Sequence, residues 1–232
     1  MEHPLIAKPH EVQAILAGRQ SQFRRIVKPG AGYQASWLSQ EGLNSSPSCE
    51  VGTTNGLPIR FGAQFEHPKG GPLTFVYCPF GKVGDRLWVR EKFFPMRYDW
   101  KELGDSSPIL YSDGFIRGRE AWGETYQGLV PPVGHAWKGA VTMPREASRI
   151  LLEITAIRVE RLRDITRSDI RAQGFVCPPE LASDEVSPNY KDWYPKAWQD
   201  QWVSDNGAES WNTNPWVWCI EFKIISAPTS TK

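Results

Sequence analysis

Residues 216–225 (Trp-Val-Trp-Cys-Ile-Glu-Phe-Lys-Ile-Ile) alternate along the chain. Trp216, Trp218, Ile220, Phe222 and Ile224 fall on one side, Glu221 and Lys223 on the other. That pattern predicts a half-buried antiparallel strand with the two tryptophans in the core. Residues 149–162 give a second strand signal. Ile150, Leu152 and Ile154 share one face, while Ile157 and Val159 have the opposite parity, so a bend or bulge is expected between the two runs. Residues 87–93 alternate as a third strand, and shorter strands are expected at 58–65, 73–78 and 109–112. Helical spacing is scarcer. In residues 9–19, Pro9 suits a first turn, Val12, Ile15 and Leu16 share a face, and Gly18 is a C-terminal stop. A loop entering a strand follows over 21–27. Thr166 and Asp169 have the spacing of a capping box, which predicts about two helical turns ending at Gly174. Residues 195–203 are a further helix, with Trp198 and Trp202 on one face.

Strands with a few short helices predict an α+β, mainly β chain: a small β-barrel decorated with short helices. The 19 prolines and 20 glycines among 232 residues disfavour a long-helix bundle. Turn residues concentrate at about 30–80 and 95–140, which we read as long insertions in a single domain spanning 1–232, with a frayed tail over 226–232. With 40% hydrophobic and 23% charged residues, the chain can bury a core, so disorder throughout is excluded.

The net charge of +1 excludes a chain-wide polycation but hides an uneven distribution. Residues 1–30 carry five Lys/Arg against two acids, and residues 141–171 seven Arg against five acids. Residues 178–215 reverse this, with two Lys against seven acids. Two basic stretches meeting in space would attract a polyanion; apart, they are solvated faces. No run reaches the roughly 18 apolar residues of a membrane helix, and the N-terminus lacks a signal-peptide pattern. A cytoplasmic chain without membrane contact is the expectation. Cys49, Cys78, Cys177 and Cys219 form no C-x-x-C pair and have no His at ligand spacing, so no metal site is expected.

Gly18-Arg-Gln-Ser-Gln-Phe-Arg-Arg25, directly after a short helix, resembles the signature of the ASCH superfamily, approximately G-x-K-x-x-E/T-x-R. Four further stretches resemble a phage and prophage branch of that superfamily. They are Gly84-Asp-Arg-Leu-Trp-Val-Arg-Glu91, Met143-Pro-Arg-Glu-Ala-Ser-Arg-Ile150, Val159-Glu-Arg-Leu162, and Trp211 with Asn214-Pro-Trp-Val-Trp218 and Glu221-Phe222. The resemblance runs from about residue 4 to 225. It implies a PUA-like barrel with RNA or a modified base bound in a cleft beside it, and no cofactor.

One ASCH branch hydrolyses the amide of N4-acetylcytidine with a Lys, a Thr and a later Glu. Here those positions hold Gln20, Phe23 and, loosely aligned, Gln173 or Gly174. A Gln amide is a poor nucleophile, and Phe offers no proton-transfer group. Ser21 and Glu91 are then the candidate catalytic residues. The candidate ligand-binding set is Arg19, Gln20, Arg24, Arg25, Trp88, Arg90 and Arg145. Arg24 and Arg25 point to opposite sides of a strand, so one can reach a cleft with its planar fork while the other meets solvent. Glu91 is an acceptor for a base amino group, a general base for a bound water, or a carboxylate holding Arg25 or Arg145. Trp88 is a candidate stacking ring, and Arg149 is expected to start a strand and pair with an acid.

The leading expectation is a nucleic-acid or nucleotide-binding protein of phage or prophage origin, with RNA, single-stranded DNA or a modified nucleoside as partner. An ASCH-type hydrolase and a phage morphogenesis protein with a phage protein partner are the alternatives.

Overall fold

The computed structural model describes residues 1–28, 49–51, 60–65, 74–95, 108–117, 131, 134–178 and 193–228. In chain order these form β1 (Glu2–Ile6), α1 (Pro9–Leu16), β2 (Gln22–Ile26), β3 (Cys49–Val51), β4 (Arg60–Phe65) and β5 (Thr74–Tyr77). Then come β6 (Arg86–Arg90), β7 (Phe93–Pro95), β8 (Ile109–Tyr111), β9 (Ile116–Arg117) and β10 (Leu151–Arg161). The last elements are α2 (Arg167–Ala172), α3 (Trp193–Asn206), α4 (Ala208–Asn212) and β11 (Trp216–Ser226). The fold is mixed α+β and mainly strands. Three sheets form, with strand orders β1-β6-β10-β11-β2, β3-β4-β5 and β7-β8-β9, and none closes on itself among the described residues. No helix is long and apolar enough to cross a membrane.

The chain divides into two compact units. The first comprises residues 1–18, 85–153 and 223–232; the second comprises 19–84 and 154–222. Most of the expected insertions, with Trp37, Trp100 and Trp122, lies outside the described residues. The tail after residue 228 does too.

In the first unit β1 runs parallel to β6, and β6 pairs antiparallel with the first residues of β10. Leu5, Leu87, Val89 and Leu152 are fully covered, joined by Val12 and Ile15 of α1. The Glu11 carboxylate accepts the Lys8 backbone N–H at 2.8 Å and closes the start of α1. The chain leaves α1 at Gly18 with φ +66°, the backbone conformation anticipated for that glycine. The strand expected over 87–93 is interrupted: β6 ends at Arg90, and β7 pairs with β8 instead. Around β7 and β8, Phe93, Ile109, Tyr111, Met143 and Ala147 make a separate apolar cluster.

In the second unit β2 pairs antiparallel with β11, and β3, β4 and β5 form a small meander. Strand β11 corrects the expected alternation. From Trp216 to Ile220 every residue is buried, and Ile224 is 39% exposed. Val217 and Cys219, assigned by parity to the wet side, pack in one cluster with Ile170, Trp198 and Trp202. Helices α2 and α3 therefore cover the side that a one-sided strand would leave to water. Strand β10 shifts parity as expected, with Leu152 and Ile154 buried on one register and Ile157 on the other.

Candidate functional site

In the second unit, one side of β2 carries polar side chains where a core would be apolar. Gln20, Gln22 and Arg24 lie two residues apart and therefore share that side. They are 3%, 1% and 2% exposed. The β11 register sets Glu221 beside Gln22 and Cys219 beside Arg24. Strand β10 adds Arg158 and Glu160, also two apart. Helix α2 closes the layer, because its capping box forms as the sequence predicts. Asp169 N–H donates to Thr166 Oγ1, and the Asp169 carboxylate accepts the Thr166 N–H.

These groups make one hydrogen-bonded network. Gln22 Nε2 donates to Asp169 Oδ1 at 2.9 Å, and Gln173 Nε2 donates to Gln22 Oε1 at 2.8 Å. Gln20 Nε2 donates to the Gln22 carbonyl at 3.0 Å, and residues 20 and 173 form an isolated bridge. Arg158 pairs with Glu160 at 3.0 Å, with Glu221 and with Asp169. Arg24 pairs through Nη2 with Glu160 and, at 3.4 Å, with Asp169. Its Nε and Nη1, and Gln20 Oε1, are buried without a hydrogen-bond partner among the described residues.

The charges follow from this packing. Burial alone would raise the Asp169 carboxyl. Hydrogen bonds from Gln22 and Thr166, with the Arg158 guanidinium, outweigh it and hold the group well below the usual carboxylate range. Asp169 is therefore a fixed anion and no general base. Burial pushes the Cys219 thiol up, which removes a thiolate nucleophile at neutral pH.

Beside this paired layer, the same unit carries arginines outward. Arg19, Arg163, Arg167 and Arg171 are exposed. Arg19 donates to the Gly174 carbonyl at 2.8 Å, beyond the end of α2. Arg163 donates to the Trp211 and Asn212 carbonyls at the end of α4 and lies 5.7 Å from the Trp211 ring centroid. Arg167 and Arg171, one turn apart on α2, both stand 5.0 Å from the Tyr194 ring centroid. Arg161 stands 4.5 Å from the Trp216 ring. Half-buried Arg25 lies over Phe23 and donates to the Arg24 carbonyl at 3.0 Å.

The candidate residues expected from sequence divide between the two units. Arg19, Gln20, Ser21, Arg24 and Arg25 belong to the second; Trp88, Arg90, Glu91 and Arg145 belong to the first. Of the adjacent pair Arg24 and Arg25, Arg24 is the one fully enclosed. Ser21 is exposed, and no histidine or carboxylate among the described residues hydrogen-bonds its hydroxyl.

Glu91 is 2% exposed and holds neither Arg25 nor Arg145. Arg149 grips it bidentately, with both contacts at 2.8 Å, and reaches Asp113 at 2.7 Å. Burial raises the Glu91 carboxyl above its ordinary value, against the pull of Arg149. Burial works to lower Arg149, but Glu91 and Asp113 outweigh it and raise the group. Arg90 donates to the Met143 carbonyl at 3.1 Å and covers the Trp88 ring at 5.2 Å. Arg145 pairs with Glu2 at 2.7 Å near the surface.

Sequence reasoning did not single out Gln22, Arg158, Glu160, Asp169 and Glu221 as one cluster. The two-residue spacings 20/22/24 and 158/160 were the available signal, and on a strand they read equally well as a wet face. Among the described residues, no group of three or more His, Cys, Asp or Glu is placed to hold a metal ion. No family model matches the chain, no curated protein matches it, and no solved structure matches it, so the ASCH resemblance has no support from these comparisons.

Proposed function

We propose that this chain binds nucleic acid or a nucleotide through the arginine-bearing surface of its second unit. The observation that carries the reading is charge segregation. Glu160, Asp169 and Glu221 are paired with Arg158, and two of them also with Arg24. The Glu160 and Asp169 carboxylates are thereby held within the layer and Glu221 is paired at its open edge, while Arg19, Arg163, Arg167 and Arg171 reach solvent. A near-neutral chain can hold a local cationic surface in this way, and such a surface draws phosphates from a distance. The PUA-like barrel and the phage or prophage origin suggested by the motifs belong to the same proposal. The hydrolase alternative has no comparable support, since no histidine or carboxylate among the described residues hydrogen-bonds Ser21 and Glu91 is held by Arg149.

The test is fluorescence anisotropy with labelled 12-nucleotide single-stranded RNA and DNA. Binding at low salt is expected to weaken linearly on a log–log salt plot, with a slope of about −0.7 per neutralised phosphate. The R19A/R167A/R171A variant, checked for its fold by circular dichroism, should lose about tenfold or more at about 50 mM salt. No binding of either oligonucleotide at low salt, or binding indifferent to salt and to these arginines, overturns the proposal.

A further inference from the structure

Between α3 and α4 the chain turns at Asn206-Gly207. Asn206 is the last residue of α3, and Gly207 takes φ +86°, the left-handed conformation that favours glycine. Both residues are exposed. Beyond its chain neighbours, nothing lies within 4 Å of where a Cβ on Gly207 would stand. An asparagine side chain carries its amide carbon within reach of the next residue's peptide nitrogen. Closure of that five-membered ring is easiest when the next residue has no Cβ. Two hydrogen bonds restrain the reacting groups here. Gly207 N–H donates to the Val203 carbonyl at 2.8 Å, and Asn206 Nδ2 donates to the Trp202 carbonyl at 3.2 Å. Both belong to the last turn of a helix, which opens at far lower cost than the core.

We infer that Asn206 is a self-modification site, its carboxamide converted to a carboxylate by the Gly207 nitrogen when the last turn of α3 opens, and that the product loosens the α3–α4 corner. The Gly207 nitrogen attacks Asn206 Cγ. The N–Cγ bond forms, the Cγ–Nδ2 bond breaks, and the amide nitrogen leaves as ammonia with the peptide proton. Water then opens the cyclic imide at either carbonyl, leaving aspartate or isoaspartate. The only co-reactant is water. The product places a carboxylate at the negative end of α3, and the Trp202 carbonyl loses its amide donor. Trp202 Nε1 also donates to Ser210 Oγ of α4 at 3.1 Å, and α4 supplies the Trp211 carbonyl that receives Arg163. A change at Asn206 therefore reaches both helices.

The test incubates the full chain in mildly alkaline buffer, folded and in urea, and follows residue 206 by peptide mapping with mass spectrometry. Conversion to both aspartate and isoaspartate is expected, about 3- to 100-fold slower in the folded chain than in urea. Asn206→Gln, which would have to close a larger ring, should suppress it. Asn206→Asp, checked for its fold by circular dichroism, should speed hydrogen exchange at the Gly207 amide by about threefold or more. A folded-chain rate within about threefold of that in urea overturns the gating by the last turn. A slowing beyond about a hundredfold, conversion that does not occur included, assigns the reaction to the globally unfolded chain and overturns the site. Aspartate formed without isoaspartate, or conversion undiminished in Asn206→Gln, overturns the cyclic route. Unchanged exchange at Gly207 in Asn206→Asp overturns the loosening of the corner.

Discussion

Each unit encloses an arginine side chain, Arg149 in the first and Arg24 in the second, and the two are accommodated differently. Arg149, in the first unit, has a side chain 3% exposed and meets two carboxylates with good fork geometry. Its guanidinium carbon also lies 4.2 Å from the Tyr111 ring centroid and 5.0 Å from that of Phe115. Arg24, in the second unit, has a side chain 0% exposed and uses one nitrogen, Nη2, for two acids, leaving Nε and Nη1 unsatisfied. A buried donor without a partner costs about 1–3 kcal/mol. The acids around the two differ as well. The Glu91 side chain is 2% exposed, whereas the Glu160 and Asp169 side chains are 20% and 14% exposed and share Arg158. Arg149 fastens β10's approach to the β6–β8 region as a closed pair. Arg24 sits in a polar layer with bonding capacity to spare.

The largest expected effect exploits this contrast. Arg149→Met leaves Glu91 buried without its cation, so the first unit should lose about 3–5 kcal/mol by urea unfolding. Arg24→Met removes two unsatisfied donors along with two ion pairs, and its acids keep water and Arg158. It should cost less than about 3 kcal/mol. The comparison breaks if Arg24→Met proves the more damaging substitution. The E91Q/R149M double variant should recover part of the loss of the single change, because no lone buried charge remains.

Much of the local structure was legible from short-range chemistry. Gly18 stopped α1, Thr166 and Asp169 closed the capping box, and the parity change in β10 fell where Ile154 and Ile157 disagree. What stayed hidden depends on partners distant in sequence. The Arg149–Glu91 pair spans 58 residues, and nothing local to Glu91 distinguishes Arg149 from Arg145. Alternation put Arg24 and Arg25 on opposite sides of β2 without saying which is enclosed, because it assumes one wet side. In β2 and β11 both sides are covered, so an alternating polar row becomes an internal layer. The outward arginines were visible only as an excess of charge over residues 141–171. Their placement on Tyr194, Trp211 and Trp216 required the tertiary fold.

The two units should also answer acid with opposite signs. The Asp169 carboxyl is depressed in the folded state. It contributes stability above its ordinary value of 3.8, and that stability is lost as the pH falls further toward the folded value. Glu91 is raised, so its share is fully present in acid and declines as the pH rises above 4.5, toward the folded value. Hydrogen exchange followed as the pH is lowered below 3.8 should therefore show protection falling first around α2 and β2. Asp169→Asn should flatten that acid dependence, at some cost to stability at neutral pH. If the region around Glu91 opens first instead, the assignment of the acid-sensitive layer to the second unit is wrong.

The smallest expected effect isolates the cap from the ion pairs. The Thr166 hydroxyl donates to Asp169 Oδ2 at 2.7 Å and accepts the Asp169 N–H at 3.1 Å. Thr166→Ala removes both bonds but leaves Arg24, Arg158 and Gln22 on the carboxylate. A loss of about 1 kcal/mol is expected, the ordinary value of an N-cap. Thr166→Ser keeps the hydroxyl and should restore most of it. Because the hydroxyl is one of the groups holding the Asp169 carboxyl down, Thr166→Ala should also move the acid transition of the second unit to higher pH. A cap that served the helix alone would lower stability equally at every pH. The two roles are therefore separated by whether the stability loss shrinks as the pH falls through the Asp169 transition.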